Sequence, residues 1–431
     1  MKRVLLGLLL CPMLLPAQGD LTKIKAASVK RIIQTLSADS MNGRPALNPV
    51  LMEPAAAFIE QEFVRIGLRP LPGAEGFRQT FFQDRIRREQ VSLTLDGSLV
   101  PEDRLVVISD QTSLAMTDGL VVSRIGFEGN KLDNNTFFAQ VSQMIRDTVS
   151  RLLIVAPAYE AQFQQIQSYI GLEHPPGGTQ RTAVLVLGEY AGASVQVSLA
   201  QSLVRLPLSN IVGMVQGVTR PDEYVVFSGH YDHLGIISAV GGDSIANGAD
   251  DDASGVTAVI ELARYFAGGA PPARTLIFVA FTAEEVGGYG SQYFASQIVP
   301  DQVVAMFNIE MIGKPSKWGK NYAFITGFER SDFGRILQQN VFGSRFTFMP
   351  DPYPDQQLFY RSDNATLARL GVPAHTISTD QIDTDPYYHT VDDEYKTLDV
   401  KNITATIQAI ALGAGSIVAG KDTPTRIEKA N

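Results

Sequence analysis

From Asn210 onward, short apolar runs alternate with segments patterned as helices, and this alternation constrains the fold more than any other feature of the chain. Strand-like runs fall at 210–215, 224–228, 275–281, 303–309 and 374–378. Apolar residues recur at helical spacing over 255–266, 290–297, 332–339, 363–370 and 400–418. Near-continuous apolar strands separated by helices predict an α/β fold: a mostly parallel central sheet with helices on both faces. A Pro-Asp-Glu turn at 221–223 is expected to separate the first two strands. In an open sheet of this kind ligands bind beyond the carboxyl ends of the strands, so the loops there decide function.

Those loops carry most of the chain's reactive residue types. The run 224–228 leads into Gly229-His230-Tyr231-Asp232-His233, and 275–281 leads into Thr282-Ala283-Glu284-Glu285. Glu310 directly follows 303–309, and after 374–378 come Tyr387-Tyr388-His389-Thr390, Asp392 and Asp393. A fifth loop, Asn247-Gly-Ala-Asp-Asp-Asp-Ala-Ser-Gly255, places three consecutive carboxylates before a helix. Adjacent like charges need a cationic offset. A helix N-terminus supplies about 0.3–1 kcal/mol per acid at the surface, and a divalent ion supplies far more. Taken singly, each motif also reads as an ordinary polar strand end or helix start. Glu310, in an apolar context, needs a partner in any case. Taken together, the loops offer imidazole nitrogen and carboxylate oxygen, a donor set that suits zinc.

At 431 residues the chain fits two domains, or one large domain with an insertion. Amphipathic helices are expected over 24–36 and 54–68. The region 91–204 mixes strand-like runs (119–125, 152–156, 182–187) with helical ones (137–146, 159–170). It reads as an inserted smaller α/β or β-rich domain, with His174 a surface residue in a Pro/Gly loop. The main domain is then discontinuous, 18–90 and 205–431. Lys2-Arg3, an apolar run to Leu15 and the small residue Ala17 form a cleavable signal peptide over 1–17, too short for a membrane anchor. The expected location is therefore secreted or periplasmic. Removing it takes away the single cysteine, Cys11, and so excludes a disulfide framework or a thiolate metal site. It also leaves 34 basic residues (36 less Lys2 and Arg3) against 45 acidic ones. That acidic balance, without basic blocks, argues against nucleic acid and anionic membranes as partners.

The motifs His-Tyr-Asp-His-Leu-Gly, Asn-Gly-Ala-Asp-Asp-Asp-Ala-Ser-Gly, Thr-Ala-Glu-Glu-Xaa-Gly, Asn-Ile-Glu-Met-Ile-Gly and Tyr-His-Thr-Val-Asp-Asp resemble the M28 family of zinc peptidases, secreted bacterial leucyl aminopeptidases among them. The segments Leu36-Ser-Ala-Asp-Ser-Met-Asn-Gly-Arg44 and Phe63-Val-Arg-Ile-Gly-Leu68 are similar to that family as well, and the resemblance covers roughly 30–90 and 205–420. It fits 91–204 to a protease-associated insertion poorly. The resemblance implies two zinc ions, one held by His230, Asp251 and Glu310, the other by Asp251, Glu285 and His389. Asp251 would bridge them and precede a cis peptide. Asp232 would orient His230, and Asp392 or Asp393 would orient His389. Glu284 would be the general base acting on a zinc-bridging water. Tyr360, Ser362 and Asp363 would line the substrate pocket. Asn364 stands where many relatives have histidine and receives no metal role. Glu310 stands where the family usually has aspartate, so that site is expected to be weaker or altered in metal preference.

The implied function is removal of N-terminal residues from peptide substrates. A carboxypeptidase or dipeptidase would need a cationic anchor, for which Arg361 and Arg330 are available. The same fold could also serve a single-zinc glutaminyl cyclase or a degenerate zinc-dependent peptide-binding protein.

Overall fold

The computed structural model describes residues 20–430, apart from 118, 128–131, 147–148, 171–172, 175 and 177–180. The expected signal peptide over 1–17 lies outside the described residues. The chain divides into two compact units: Met1–Phe81 with Leu208–Asn431, and Phe82–Pro207. The smaller one is thus somewhat longer at both ends than the 91–204 expected from sequence.

In the larger unit the sheet runs, in spatial order, Thr347–Pro350, Tyr322–Ile325, Ala374–Ser378, Val303–Ile309, Arg220–His230, Arg274–Phe281 and the end of Val195–Val215. The central pairs are parallel. Antiparallel pairs join Arg274–Phe281 to Val195–Val215 and Tyr322–Ile325 to Ala374–Ser378. Every residue of Arg274–Phe281 and of Val303–Ile309 is buried, as strands covered on both faces must be. Phe227 stacks on Phe278, Phe307 and Phe266 at centroid distances of 5.4, 4.8 and 5.5 Å, which fixes the middle of the sheet.

Three helices pack together on one face: Ala26–Leu36, Pro49–Ile66 and Ala253–Ala267. Asn48 caps the second helix, and Gly67 closes it at φ 82°, a left-handed position where a Cβ is costly. Two acids are buried among these helices, Glu62 and Glu261. Arg31, Arg65 and Arg264 pair with Glu62, and Arg264 also pairs with Glu261.

Some expectations are corrected. Residues 221–223 do not form a turn between strands. They lie within Arg220–His230, where the pairing register jumps between Arg220 and Tyr224 and so absorbs the proline. The strand ending at Val215 begins at Val195. The final helix breaks at Ala414 between Val400–Gly413 and Gly415–Val418.

The smaller unit has a four-stranded sheet in the order Leu105–Ser109, Thr182–Leu187, Arg151–Val155, Val121–Ile125, with the last three strands mutually parallel. Helices Asn134–Arg146 and Glu160–Ile170 complete it. His174 is not a surface residue. It is 7 % exposed and pairs with Ile86 in a short antiparallel ladder.

Candidate metal centre

The four strand ends and the triple-aspartate loop converge. His230, Asp251 and Glu310 form one group of donors and His233, Asp251 and Glu285 a second, with the donor atoms in each group within 4.8 Å of one another. Asp251 belongs to both. Its Oδ1 lies 3.1 Å from His230 Nε2, while its Oδ2 lies 3.3 Å from His389 Nε2 and 3.8 Å from His233 Nδ1. Glu285 presents Oε1 to His233 Nδ1 at 2.8 Å and Oε2 to His389 Nε2 at 3.3 Å. His389 is the most exposed of these side chains, at 37 %, and so stands at the mouth of the site.

The loops that aim these donors are tightly built. The peptide joining Asp251 to Asp252 is cis, as the resemblance implies. Gly248 has φ +56°, and a Cβ there would meet His233 at 2.6 Å. A Cβ on Gly255 would meet the Ile309 carbonyl and the Asp252 carboxylate, so only glycine lets this helix start approach so closely. Ala283, Met311 and His389 hold positive φ, which non-glycine residues adopt at a cost of order 1–3 kcal/mol each.

The three aspartates have separate work. Asp252 caps the Ala253–Ala267 helix through Gly255 N and also accepts from His230 N and Met311 N. Asp250 accepts from Gly313 N at 2.6 Å and Ser254 Oγ at 3.1 Å. Asp251 faces the imidazoles. Burial alone would raise its carboxyl, but the imidazoles of His230, His389 and His233 close beside it hold it well below the usual range.

Two orienting roles differ from expectation. His230 Nδ1 contacts the backbone carbonyl of Asp232 at 3.1 Å, and the Asp232 carboxylate stands 3.8 Å away. That carboxylate is occupied by the amides of Glu284 and Glu285, at 3.1 and 3.2 Å, so it positions both glutamates. Asp393 does not orient His389; it accepts from Asp250 N and Asp251 N at 3.0–3.1 Å and holds the aspartate loop. Asp392 is exposed.

Arg44 and His233 join the site without having been expected there. Arg44 is fully buried, and its guanidinium donates to the carbonyls of Leu36, Tyr231, Asn247 and Gly248 at 2.6–2.8 Å, tying together the two loops that carry His230 and Asp251. Its only signal is the Asn-Gly-Arg sequence before the second helix, which carries no chemistry of its own. His233 is visible within His-Tyr-Asp-His, but nothing in the sequence says that its ring turns toward Glu285.

Glu284 lies beside both donor groups and in neither. Burial, helped by the charges of Glu310, Asp363 and Glu285, raises its carboxyl well above the usual range despite His230. Asp363 is buried and pushed up to about 7 by burial first, with Asp232 and Glu310 adding repulsion. Ser362 accepts from Asn308 Nδ2 and lines a cavity of about 60 Å³ together with Glu310, Thr376, Tyr388 and Arg361. Tyr360 instead packs between the guanidinium groups of Arg330 and Arg369. Asn364 is buried and donates to the carbonyls of Phe359 and Ala374.

The donor set fits zinc. His230 Nε2 and Glu310 Oε2 are buried without a hydrogen-bond partner, and both residues belong with Asp251 to one donor group. Buried polar atoms left in that state call for a cation.

Comparison with known proteins agrees. The sequence model of Peptidase family M28 matches residues 210–413. It is 39% identical over 115 residues to a probable zinc metalloprotease of Pyricularia oryzae, covering 27% of this chain and 22% of that protein. Over 129 residues it is 31% identical to aminopeptidase NAALADL1 of Mus musculus, covering 28% and 16%. The chain thus spans less than a quarter of the length of these relatives. In fold it is similar to an aminopeptidase from Aneurinibacillus sp. strain AM-1 (TM-score 0.59, 17% identity, 95% of this chain and 96% of that one). It is also similar to a zinc aminopeptidase from Bacillus subtilis (TM-score 0.58, 16% identity, 92% and 95%).

Proposed function

We propose that this chain is a dizinc exopeptidase that removes N-terminal residues from peptides. The observation that carries the reading is the Asp251 carboxylate, which turns one oxygen to His230 and the other to His389, between two donor groups. His230, Asp251 and Glu310 would hold one zinc, and Asp251, Glu285 and His389 the other, with His233 fixing Glu285. Bound zinc supplies Lewis acidity, lowering the pKa of water and polarising the scissile carbonyl.

Glu284 takes a proton from the attacking water as its oxygen bonds to the carbonyl carbon. It returns that proton to the leaving amine as the C–N bond breaks. Standing beside both donor groups and in neither, its carboxylate is free to hold the proton between the two transfers. Asp232, by accepting from the Glu284 and Glu285 amides, keeps base and ligand side by side.

A carboxypeptidase reading has one favourable observation: Arg361 lines the cavity beside Glu310 and supplies a cation for a terminal carboxylate. The placement of His230 against Asp251 favours two metals over a single-zinc cyclase, and a peptide binder has no use for Glu284. The positively charged start and apolar run of the sequence support export. Among the described residues no helix is long and apolar enough to cross a membrane.

The test is hydrolysis of matched free and N-acetylated peptides. Cleavage of free N-termini alone is expected, and release of C-terminal residues from blocked peptides would replace this reading with the carboxypeptidase one.

A further inference from the structure

A second acidic cluster lies behind the metal centre. Asp250, Asp380 and Asp385 bring carboxylate oxygens within 4.8 Å of one another. Asp250 and Asp380 are 0 % and 3 % exposed, and the Asp385 side chain is 3 % exposed. One cation is already present: Lys314 Nζ stands 2.5 Å from Asp385 Oδ2 and 3.3 Å from Asp250 Oδ2, with its ammonium 5.3 Å from the centre of the Tyr387 ring. Were all three carboxylates ionised against one ammonium, two negative charges would stay buried, so the cluster must hold either a proton or a further cation.

A second observation shows where the deficit lies. Both carboxylate oxygens of Asp380 are buried without a hydrogen-bond partner. Asp250 is anchored on its other oxygen by Gly313 N and Ser254 Oγ, and Asp385 on its other oxygen by Tyr387 N. Asp380 has no such anchor for its carboxylate; its own amide donates to Ser378 Oγ. Burial, then the charges of Asp250 and Asp385, push its carboxyl up to about 8.

We infer that Asp250, Asp380 and Asp385 form a third cation site, distinct from the zinc-type donor groups, that takes a hard divalent ion of the calcium class. The donors are oxygens alone, without the imidazole of the neighbouring centre, and all-oxygen sets select calcium or magnesium over zinc. Two positive charges balance the cluster with Lys314 in place. A cation there joins the loop that carries Asp251 to the segment 380–385 that leads into His389, and so braces the two sides of the catalytic centre. The site does not depend on the peptidase reading.

The experiment is isothermal titration of the zinc-loaded protein, freed of calcium, with calcium chloride, together with thermal unfolding with and without calcium. One calcium per chain and a raised Tm are expected. Asp380→Asn is expected to weaken calcium binding at least tenfold while zinc content stays unchanged. Lys314→Gln, which removes the competing ammonium, is expected to tighten it by roughly tenfold. Absence of calcium binding in the parent protein overturns the inference. So does binding of unchanged affinity in Asp380→Asn, which would place the ion elsewhere.

Discussion

The two units use the same grammar to different ends. Each sets parallel apolar strands side by side and sends each strand into a loop at its carboxyl end. In the smaller unit, Val121–Ile125 ends at Gly126, Arg151–Val155 at Ala156-Pro157 and Thr182–Leu187 at Gly188. In the larger unit the corresponding places hold His230, Glu284 with Glu285, and Glu310. Both arrangements fold, but of these strand ends only the second set carries ionisable side chains, and there the surrounding structure is built to hold them: a buried Arg44, carboxylates capping amides, and glycines where chains nearly touch. A strand end is thus an opportunity, and it becomes a site when other parts of the chain stabilise ionisable side chains placed there.

Substitutions at matching places in the two units sharpen this contrast. Glu284→Gln is expected to lower kcat by about 10²–10⁴-fold with zinc content unchanged. Glu189→Gln, just beyond a strand of the smaller unit, should leave kcat where it was, and steady-state kinetics with metal analysis check both. Arg44→Met removes a buried charge and strands several carbonyls. Urea unfolding should show a loss of about 3–5 kcal/mol, accompanied by weaker zinc retention.

A smaller effect concerns His375, buried against Ser331 and the Thr326 carbonyl, with Phe333 stacked on it. Burial lowers its pKa from 6.5 to about 4. The unfolded chain therefore binds a proton that the folded chain refuses between those values. This contribution to stability is fully present above pH 6.5 and is lost as pH falls toward 4, by about 3 kcal/mol. The difference in unfolding free energy between the parent and His375→Asn, followed across that window, should narrow by that amount. Least of all, Asp96→Ala in the smaller unit removes an acceptor for the amides of Gly192, Ala193 and Ser194. Thermal unfolding should register a small loss, with zinc content and kcat unmoved.

Much of this is legible in the sequence, for definable reasons. The strand at 303–309 is legible to the residue, because a strand buried on both faces is a nearly continuous apolar run. The clustering of candidate ligands is legible because His230, the pair Glu284-Glu285 and Glu310 stand at or just beyond the ends of successive strands. Arg78–Leu95 is not: its alternation is rich in charge and resembles surface. Tyr322–Ile325 and Thr347–Pro350 are too short to show a period. Arg44 and Asp393 act through backbone groups of distant loops, and no local pattern reports such contacts. The Asp250–Asp380–Asp385 cluster joins residues far apart in the chain, so it emerges from topology alone.

The central claim is that Asp251 bridges two metals, and zinc analysis of the purified protein beside its Asp251→Asn variant tests it most directly. The account predicts about two zinc ions per chain in the parent and loss of both sites' affinity in the variant, since one carboxylate serves both. A parent that binds no zinc, or a variant that retains the parent's full zinc content, would contradict it.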